Sequence, residues 1–277
     1  MKNKLVAPVL KWVGGKRKLL ATFKPLLPQK IDSYCEPFLG GGAVFLDLQP
    51  KKAYVNDLNN DLMRVYIVIR DNVDELIRSL ETFTNNSETF YAVRDWDRDK
   101  QKFDALSDVQ KAARTIFLNK TCYNGLYRVN NSGEFNAPFG NYKNLNIVNA
   151  VGLKAVSNYF NTAQIAFSST DYTQVLKTVN QETFVYLDPP YDPVSNTSSF
   201  TGYTKCGFTR DDQIKLRECC DALDKKGVKF MLSNSATDFI KEQYSAYNIT
   251  IVKAKRAINS VASKRGDVDE VVVRNYE

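Results

Sequence analysis

The sequence contains no histidine, and this absence excludes several classes of catalytic and metal site. Ser-His-Asp and Cys-His nucleophilic sites, HExxH zinc sites and the 2-His-1-carboxylate iron site all require an imidazole. Cysteines are also few: Cys35, Cys122, Cys206, Cys219 and Cys220. Because their number is odd and no C-x-x-C pair occurs, we expect no disulfide framework, no zinc knuckle and no bound metal. We interpret them as buried thiols in a reducing compartment.

Long apolar runs are also missing. Stretches such as Val65–Ile69 are far too short to span a bilayer, and Lys11 interrupts the apolar N-terminal segment where a signal peptide would continue. We therefore expect a soluble cytoplasmic protein without a membrane partner. Its length suits one large α/β domain, or one domain with an insertion. The formal net charge of +7 favours a polyanionic partner.

The N-terminal part of the chain alternates between strand and helix patterns. We predict a helix at Lys16–Phe23, a strand at Ile31–Glu36, a helix at Ala43–Leu48 and a strand at Lys52–Asn56. The last three elements form a βαβ unit with a glycine-rich turn after the first strand.

The pattern then becomes helical over residues 61–120, with apolar residues at helical spacing around Leu76–Phe83. Residues 121–146 are rich in Asn, Gly and Tyr, and the turn signal Asn131–Gly133 predicts a hairpin. We therefore predict an α/β domain formed by residues 1–60 and 146–277, interrupted by a mostly helical recognition domain at 61–145. After a helix following Val148, further strands are predicted at Gln164–Phe167, Thr183–Leu187, Lys229–Ser233, Ile249–Lys253 and Asp269–Asn275.

The glycine turn Gly40–Gly42 and Asp57 indicate a ligand that contains a nucleoside. Such a turn lets a ligand approach the backbone amides, and a carboxylate at the end of the next strand can bind ribose hydroxyls. Glycines alone would also fit an ordinary tight turn. The two features do not separate NAD from S-adenosylmethionine, although the turn lacks the full G-x-G-x-x-G pattern of NAD enzymes.

The segment Asp188-Pro189-Pro190-Tyr191 follows a strongly hydrophobic strand, which would place Asp188 where α/β sheets carry their active sites. Proline has no N–H donor, so Asp188 and the Pro189 carbonyl can form a paired acceptor for an amino group. Tyr191 offers a flat ring on which a base can stack. The alternative is a proline-capped strand end with a solvated aspartate.

Two of these motifs, Glu36–Gly42 and Asp188–Tyr191, resemble the alpha-group N6-adenine DNA methyltransferases. Three more segments, Lys11–Lys16, Tyr123–Arg128 and Glu134–Gly140, resemble the opening motif and the target-recognition hairpin of the Dam-type members. The resemblance spans almost the whole chain. It implies a Rossmann-like methyltransferase sheet with an inserted recognition domain, and methylation of adenine N6 in GATC after base flipping.

The resemblance also implies roles for individual residues. Asp188, Pro189, Pro190 and Tyr191 would form the catalytic motif. The position of Asp171-Tyr172 holds the adenine ring of the cofactor, and the family more often has Asp-Phe there. The residues expected to bind S-adenosylmethionine are Trp12, Lys16, Glu36, Phe38, Gly40, Gly42, Asp57, Asp171, Tyr172 and Asp188.

For DNA, the resemblance implies that Tyr123 wedges into the duplex beside the flipped adenine. Arg128 is the candidate for a bidentate guanine contact, with a phosphate contact as its alternative. The family usually has arginine at the position of Asn141, which puts one backbone contact in doubt. The residues expected to bind DNA are Lys11, Tyr123, Asn124, Leu126, Arg128, Asn136 and Pro138.

Several alternatives remain open. An RNA adenine or protein-glutamine methyltransferase could share the fold, although the glutamine enzymes carry Asn where this chain has Asp188. Cytosine-C5 methylation is excluded because no cysteine follows a proline. The motifs do not separate the partner of a restriction endonuclease from an orphan regulator, and we expect a monomer. A basic stretch near the C-terminus fits either phosphate contacts or a solvated face; it comprises Lys253, Lys255, Arg256, Lys264 and Arg265.

Overall fold

The computed structural model describes residues 2–194, 207–255 and 267–277. Within these ranges, seven strands form one mixed sheet in the order β3-β2-β1-β4-β5-β7-β6. Neighbouring strands from β3 to β5 are parallel, whereas β7 pairs antiparallel with both β5 and β6. The strands are β1 Ser33–Glu36, β2 Lys52–Asn56, β3 Gln164–Ser168, β4 Thr183–Leu187, β5 Phe230–Ser235, β6 Asn248–Lys255 and β7 Asp267–Arg274.

The predicted α/β fold is confirmed, and β2 and β4 have the predicted bounds. All residues of β1 and β4 are buried, which is expected of central parallel strands covered on both faces. Side chains alternate between the two faces. The helices are α1 Leu20–Phe23, α2 Ala43–Leu48, α3 Asn60–Asp71, α4 Val73–Glu81, α5 Ser87–Arg94, α6 Lys100–Ala105, α7 Asp108–Thr121, α8 Ala150–Thr162, α9 Tyr172–Thr178, α10 Arg210–Lys225 and α11 Asp238–Gln243. On one face of the sheet, Tyr34 and Tyr186 pack in a core with α2, α3 and α8. On the other face, Val185 and Leu187 pack with α9, α10 and α11.

The single helix predicted at Lys16–Phe23 is wrong in part. The chain forms a 3-10 turn at Lys16–Lys18 and then the one-turn helix α1. Neither piece has a side-chain cap at its N-terminus, and Pro25 follows within the next 3-10 turn. Because the first amides are unsatisfied and a proline follows soon afterwards, the chain does not form a longer helix here.

The predicted hairpin is confirmed, although its arms are too irregular to form named strands. Cys122 pairs antiparallel with Phe139, and Val129 pairs antiparallel with Phe135. At the tip, Asn130 accepts hydrogen bonds from the backbone of Ser132 and Glu134 through its side chain. The hairpin follows directly on α7, so that helix holds its base.

The helical insertion does not have a separate core. Leu76, Phe90 and Phe117 from the insertion belong to the same buried cluster as Tyr34 and Phe45 beside the sheet. Of the cysteines, Cys35, Cys122 and Cys220 are buried, as expected, and Cys219 is half-buried. Cys206 lies outside the described residues. No helix among the described residues is long and apolar enough to cross a membrane.

Candidate functional site

The predicted site residues at the strand ends lie along one edge of the sheet. Since β1, β2 and β4 are parallel, their carboxyl ends bring Glu36, Asp57 and Asp188 to that edge. Asn56, which the sequence did not single out, connects the loops there. Its side-chain amide donates to the carbonyls of Pro37 and Thr170, at 3.0 and 2.9 Å.

The glycine turn Gly40–Gly42 is held by hydrogen bonds from within the protein. Asp57 Oδ2 accepts a hydrogen bond from Gly40 N at 2.8 Å, and Oδ1 accepts one from Asn59 N at 2.9 Å. Gly42 N donates to the Leu39 carbonyl. The expectation that the glycine amides point at a ligand is therefore wrong for Gly40 and Gly42. Both glycines have positive φ angles, so the turn still needs them for its backbone conformation.

Lys16 lies beside the Asp188–Tyr191 segment. Its ammonium lies 2.8 Å from Asp188 Oδ1, 2.6 Å from the Gly14 carbonyl and 4.7 Å from the centre of the Tyr191 ring. The Lys16 side chain is 4% exposed and that of Asp188 is 19% exposed. The Tyr191 hydroxyl donates to Glu270 Oε2 at 2.8 Å. One ion pair thus joins the N-terminal segment to β4, and Glu270 joins the motif to β7.

The carboxyl groups at this edge have raised pKa values. Burial raises the pKa of Asp188 to about 6, the Lys16 ammonium opposes this, and the charge of Glu270 adds to it. Burial also raises the pKa of Glu36 well above its usual range, against a 2.7 Å hydrogen bond from the Tyr34 hydroxyl. A cationic ligand beside these groups would favour their ionised forms.

Polar side chains from α10 and β5 support the two prolines. Gln213 donates to the Pro190 carbonyl at 2.8 Å and accepts from Asn234 at 3.0 Å. Asp192 is buried and pairs with Arg210. Gln213 occupies the Pro190 carbonyl, which is not part of the paired acceptor predicted from the sequence.

The remaining predicted cofactor residues lie on either side of this edge. Trp12 lies against the glycine turn, since a Cβ added to Gly40 would be 3.0 Å from its Cδ1 atom. Asp171 caps α9 by accepting a hydrogen bond from Thr173 N. Tyr172 is buried and packs on Phe38, with ring centroids 5.0 Å apart.

The predicted DNA-binding residues lie on the hairpin and on the segment beside it. Tyr123, Asn124, Arg128 and Pro138 are exposed, and Tyr123 is 58% exposed despite its aromatic ring. Leu126 and Asn136 are half-buried, and Lys11 is exposed. The ammonium of Lys11 lies 5.2 Å from the centre of the Tyr142 ring, a contact that sequence reasoning missed.

Two details refine the sequence predictions for the hairpin. The Arg128 guanidinium donates to Asn136 Oδ1 at 2.7 Å and to the Asn136 carbonyl at 3.0 Å, so Asn136 orients it. Asn141 has a φ of +49°, in the left-handed region where asparagine is tolerated better than arginine. Of the basic stretch near the C-terminus, Lys253 is exposed on β6; Arg256, Lys264, Arg265 and the side chain of Lys255 lie outside the described residues.

Comparison with known proteins identifies the family. Residues 12–258 match the D12 class of N6 adenine-specific DNA methyltransferases. The chain belongs to this family. It is 42% identical to the Type II methyltransferase M1.LlaDCHI of Lactococcus lactis subsp. cremoris, covering 99% of this chain and 98% of that protein. It is 45% identical to the Type II methyltransferase M.MjaIII of Methanocaldococcus jannaschii, covering 98% and 99%. It is 34% identical to the DNA adenine methylase of Escherichia coli K12, covering 95% and 93%.

The D12-class enzyme is therefore an adenine-specific DNA methyltransferase, and methyl transfer in this family implies the use of S-adenosylmethionine. No group of potential metal ligands is found among its described residues. Sequence reasoning missed Asn56, Gln213 and Glu270 because each acts on a site residue that is distant in the chain. No local motif marks them.

The hydrogen bonds of Asp57 predict a role in stability without any ligand. In Asp57→Ala, the amides of Gly40 and Asn59 lose their acceptor, and we expect the free energy of unfolding to fall by about 1–3 kcal/mol. Urea denaturation of the ligand-free methyltransferase measures this. Asp32→Ala is the matched control, because the Asp32 side chain is 53% exposed and pairs with Lys30 at the surface; it should change stability by less than about 0.5 kcal/mol. Equal stability of Asp57→Ala and wild type would contradict the structural role.

Proposed function

We propose that this methyltransferase transfers a methyl group from S-adenosylmethionine to N6 of adenine in GATC after flipping that base out of the duplex. The observation that carries the proposal is the position of Asp188. It directly follows β4 at the carboxyl edge of the sheet, pairs with Lys16 at 2.8 Å and precedes Pro189-Pro190, whose nitrogens carry no N–H donor. A carboxylate and a carbonyl side by side suit the two N–H bonds of an amino group.

The charges at the site fit a cationic methyl donor. Glu36, Asp57, Asp188 and Glu270 are acidic, and Lys16 is the basic partner beside them. A sulfonium and an α-ammonium would offset this excess of carboxylates, whereas the pyrophosphate of NAD would be repelled. The internal hydrogen bonds of Gly40 and Gly42 also remove amides that would bind a pyrophosphate.

Different residues would hold different parts of the cofactor. Glu36 would face the methionine end, and Asp57 has carboxylate lone pairs left for ribose hydroxyls. Trp12 lies beside the glycine turn, and Phe38, Asp171 and Tyr172 lie where the adenine would bind. When bound, S-adenosylmethionine supplies an electrophilic methyl group for direct in-line transfer, without a covalent enzyme intermediate.

The Asp188–Tyr191 segment would position the target amino group. Asp188 and the Pro189 carbonyl accept its N–H bonds, which keeps the nitrogen lone pair directed at the incoming methyl group. Tyr191 is fixed through its hydroxyl by Glu270, and the Lys16 ammonium lies near its ring. The Lys16 ammonium covers part of the Tyr191 ring, so the flipped adenine can stack only on the part of the ring that Lys16 leaves open.

Residues 61–145 would recognise the DNA. A base inside a duplex is out of reach, so the adenine must be flipped out at a cost of a few kcal/mol. The exposed Tyr123 ring at the base of the hairpin can fill the gap, and Lys11, Arg128 and Pro138 can contact base edges and phosphates. Asn124, Leu126 and Asn136 complete this surface. The Type II methyltransferases among the relatives support pairing with a cognate restriction endonuclease.

A methylation assay tests the proposal. Labelled S-adenosylmethionine is incubated with duplexes that contain GATC or its single-base variants, and the product nucleoside is identified after digestion. We expect N6-methyladenine, formed much faster on GATC than on the variants. Asp188→Ala should react at least about a hundredfold more slowly, as expected from losing one positioned polar catalytic group. Equal rates on all duplexes would refute the GATC specificity, and a different product would refute the reaction.

The raised pKa of Asp188 predicts how the rate depends on pH. With a pKa of about 6, Asp188 is ionised above pH 6 and becomes protonated as the pH falls through that value. The protonated form no longer accepts an N–H bond of the target amine as a carboxylate, so the single-turnover rate should fall as the pH drops below about 6, with a midpoint that the bound cationic cofactor displaces to lower pH. Glu270→Gln removes a negative charge but keeps an oxygen for the Tyr191 hydroxyl, and it should shift the midpoint to lower pH. Glu242→Gln, at an exposed position of α11, should leave the midpoint in place. A midpoint that Glu270→Gln does not move would contradict this assignment.

Arg128 provides a test of sequence recognition. If it reads guanine, Arg128→Ala should cost about 1–3 kcal/mol on GATC and relax discrimination at one end of the site only. Rates on the single-base variants measure this. Lys154→Ala, which removes an exposed lysine paired with Asp74 on α4, serves as the charge control. A uniform drop on every duplex would instead assign Arg128 to a phosphate.

A further inference from the structure

Two neighbouring residues connect the proposed DNA surface with the proposed cofactor site. Lys11 is expected to contact DNA and Trp12 to contact the cofactor. Their shared backbone is held by Asn119, a buried residue of α7. Asn119 Oδ1 accepts from Lys11 N at 2.9 Å, and its amide donates to the carbonyls of Lys11 at 2.8 Å and Gly125 at 3.2 Å. The segment is thus bonded to the base of the hairpin.

A second connection runs through the side chains. The ring of Tyr127, on the hairpin, stacks on Trp12 with centroids 5.1 Å apart and planes inclined by 28°. Trp12 also lies against the glycine turn at Gly40. Tyr127 therefore touches the residue that covers the cofactor turn, although it belongs to the Tyr123–Arg128 segment that would meet DNA.

Tyr127 is itself fixed by two further contacts. Its hydroxyl donates to Asp61 Oδ2 at 2.9 Å, in the first turn of α3. Its ring packs edge-on against Phe135 of the opposite hairpin arm, with centroids 5.7 Å apart. Because Phe135 pairs with Val129 across the hairpin, any restraint on the hairpin also restrains Tyr127.

We propose that Tyr127 is a positioning residue that couples DNA binding at the hairpin to cofactor binding at Trp12. This inference rests on the proposed function. The stack makes the positions of the hairpin and of the Trp12 ring depend on each other, so the hairpin position that DNA selects also sets the position of Trp12 over the glycine turn. We expect that position to favour the cofactor, so its affinity rises, and by linkage the cofactor tightens DNA binding by the same factor.

Calorimetry with S-adenosylhomocysteine, with and without a GATC duplex, measures this coupling as the ratio of the two dissociation constants. We expect the duplex to tighten binding about tenfold in wild type. Tyr127→Leu removes the stack, so the ratio of the two dissociation constants should fall to between about 1 and about 2. Tyr127→Phe keeps the ring and should retain the coupling. A purely structural role would lower the melting temperature or both affinities and leave the ratio unchanged.

The control is Tyr91→Leu, which makes the same substitution on the exposed face of α5, where Tyr91 packs against its neighbours Phe90 and Arg94. Tyr91→Leu should keep the wild-type ratio of the two dissociation constants. If Tyr127→Leu does not fold, Tyr127→Met gives the same comparison with a more flexible side chain. Full coupling in the unstacked variant, or none in wild type, would overturn the inference. Failure of wild type to bind S-adenosylhomocysteine or to methylate DNA would instead overturn the proposed function.

Discussion

The Lys16 ammonium lies among the acidic groups at the carboxyl edge of the sheet, 2.8 Å from Asp188 and close to the Tyr191 ring. Both partners of this ion pair are largely buried, so removing either one would leave the other as an uncompensated charge in the interior. Lys16 comes from a short 3-10 turn near the N-terminus, whereas Asp188 directly follows a central strand. The pair therefore fixes the N-terminal segment on the sheet and brings Trp12 against the glycine turn.

The N-terminal segment also determines how the parts of the methyltransferase are arranged in space. Asn119 at the end of α7 bonds the backbone of Lys11, and the hairpin starts immediately after that helix. Tyr66 of α3 also donates to the Gly40 carbonyl at 2.9 Å. Helices α3 and α7 thus support the carboxyl edge of the sheet, which agrees with the shared hydrophobic core. Segments that are far apart along the chain are thereby packed together in space.

Local signals predicted the parts of the fold that depend on local causes. The alternation of β1, α2 and β2 and the uniformly hydrophobic β4 follow from periodicity, and the hairpin follows from its turn residues. The Asp188–Tyr191 motif was recognisable because its residues are contiguous. The helix at Lys16–Phe23 was wrong because helical spacing does not reveal missing caps. Glu270 and Asn56 could not be found, since their importance arises from contacts with residues far away in sequence.

The antiparallel strand β7 lies between β5 and β6, although it follows both in the chain. During synthesis, β6 emerges before its pairing partner exists, and it can join the sheet only after β7 has formed. Glu270 is carried by that same strand and holds the Tyr191 hydroxyl. A nascent chain therefore lacks the Glu270 contact to the Tyr191 hydroxyl until β7 has joined the sheet.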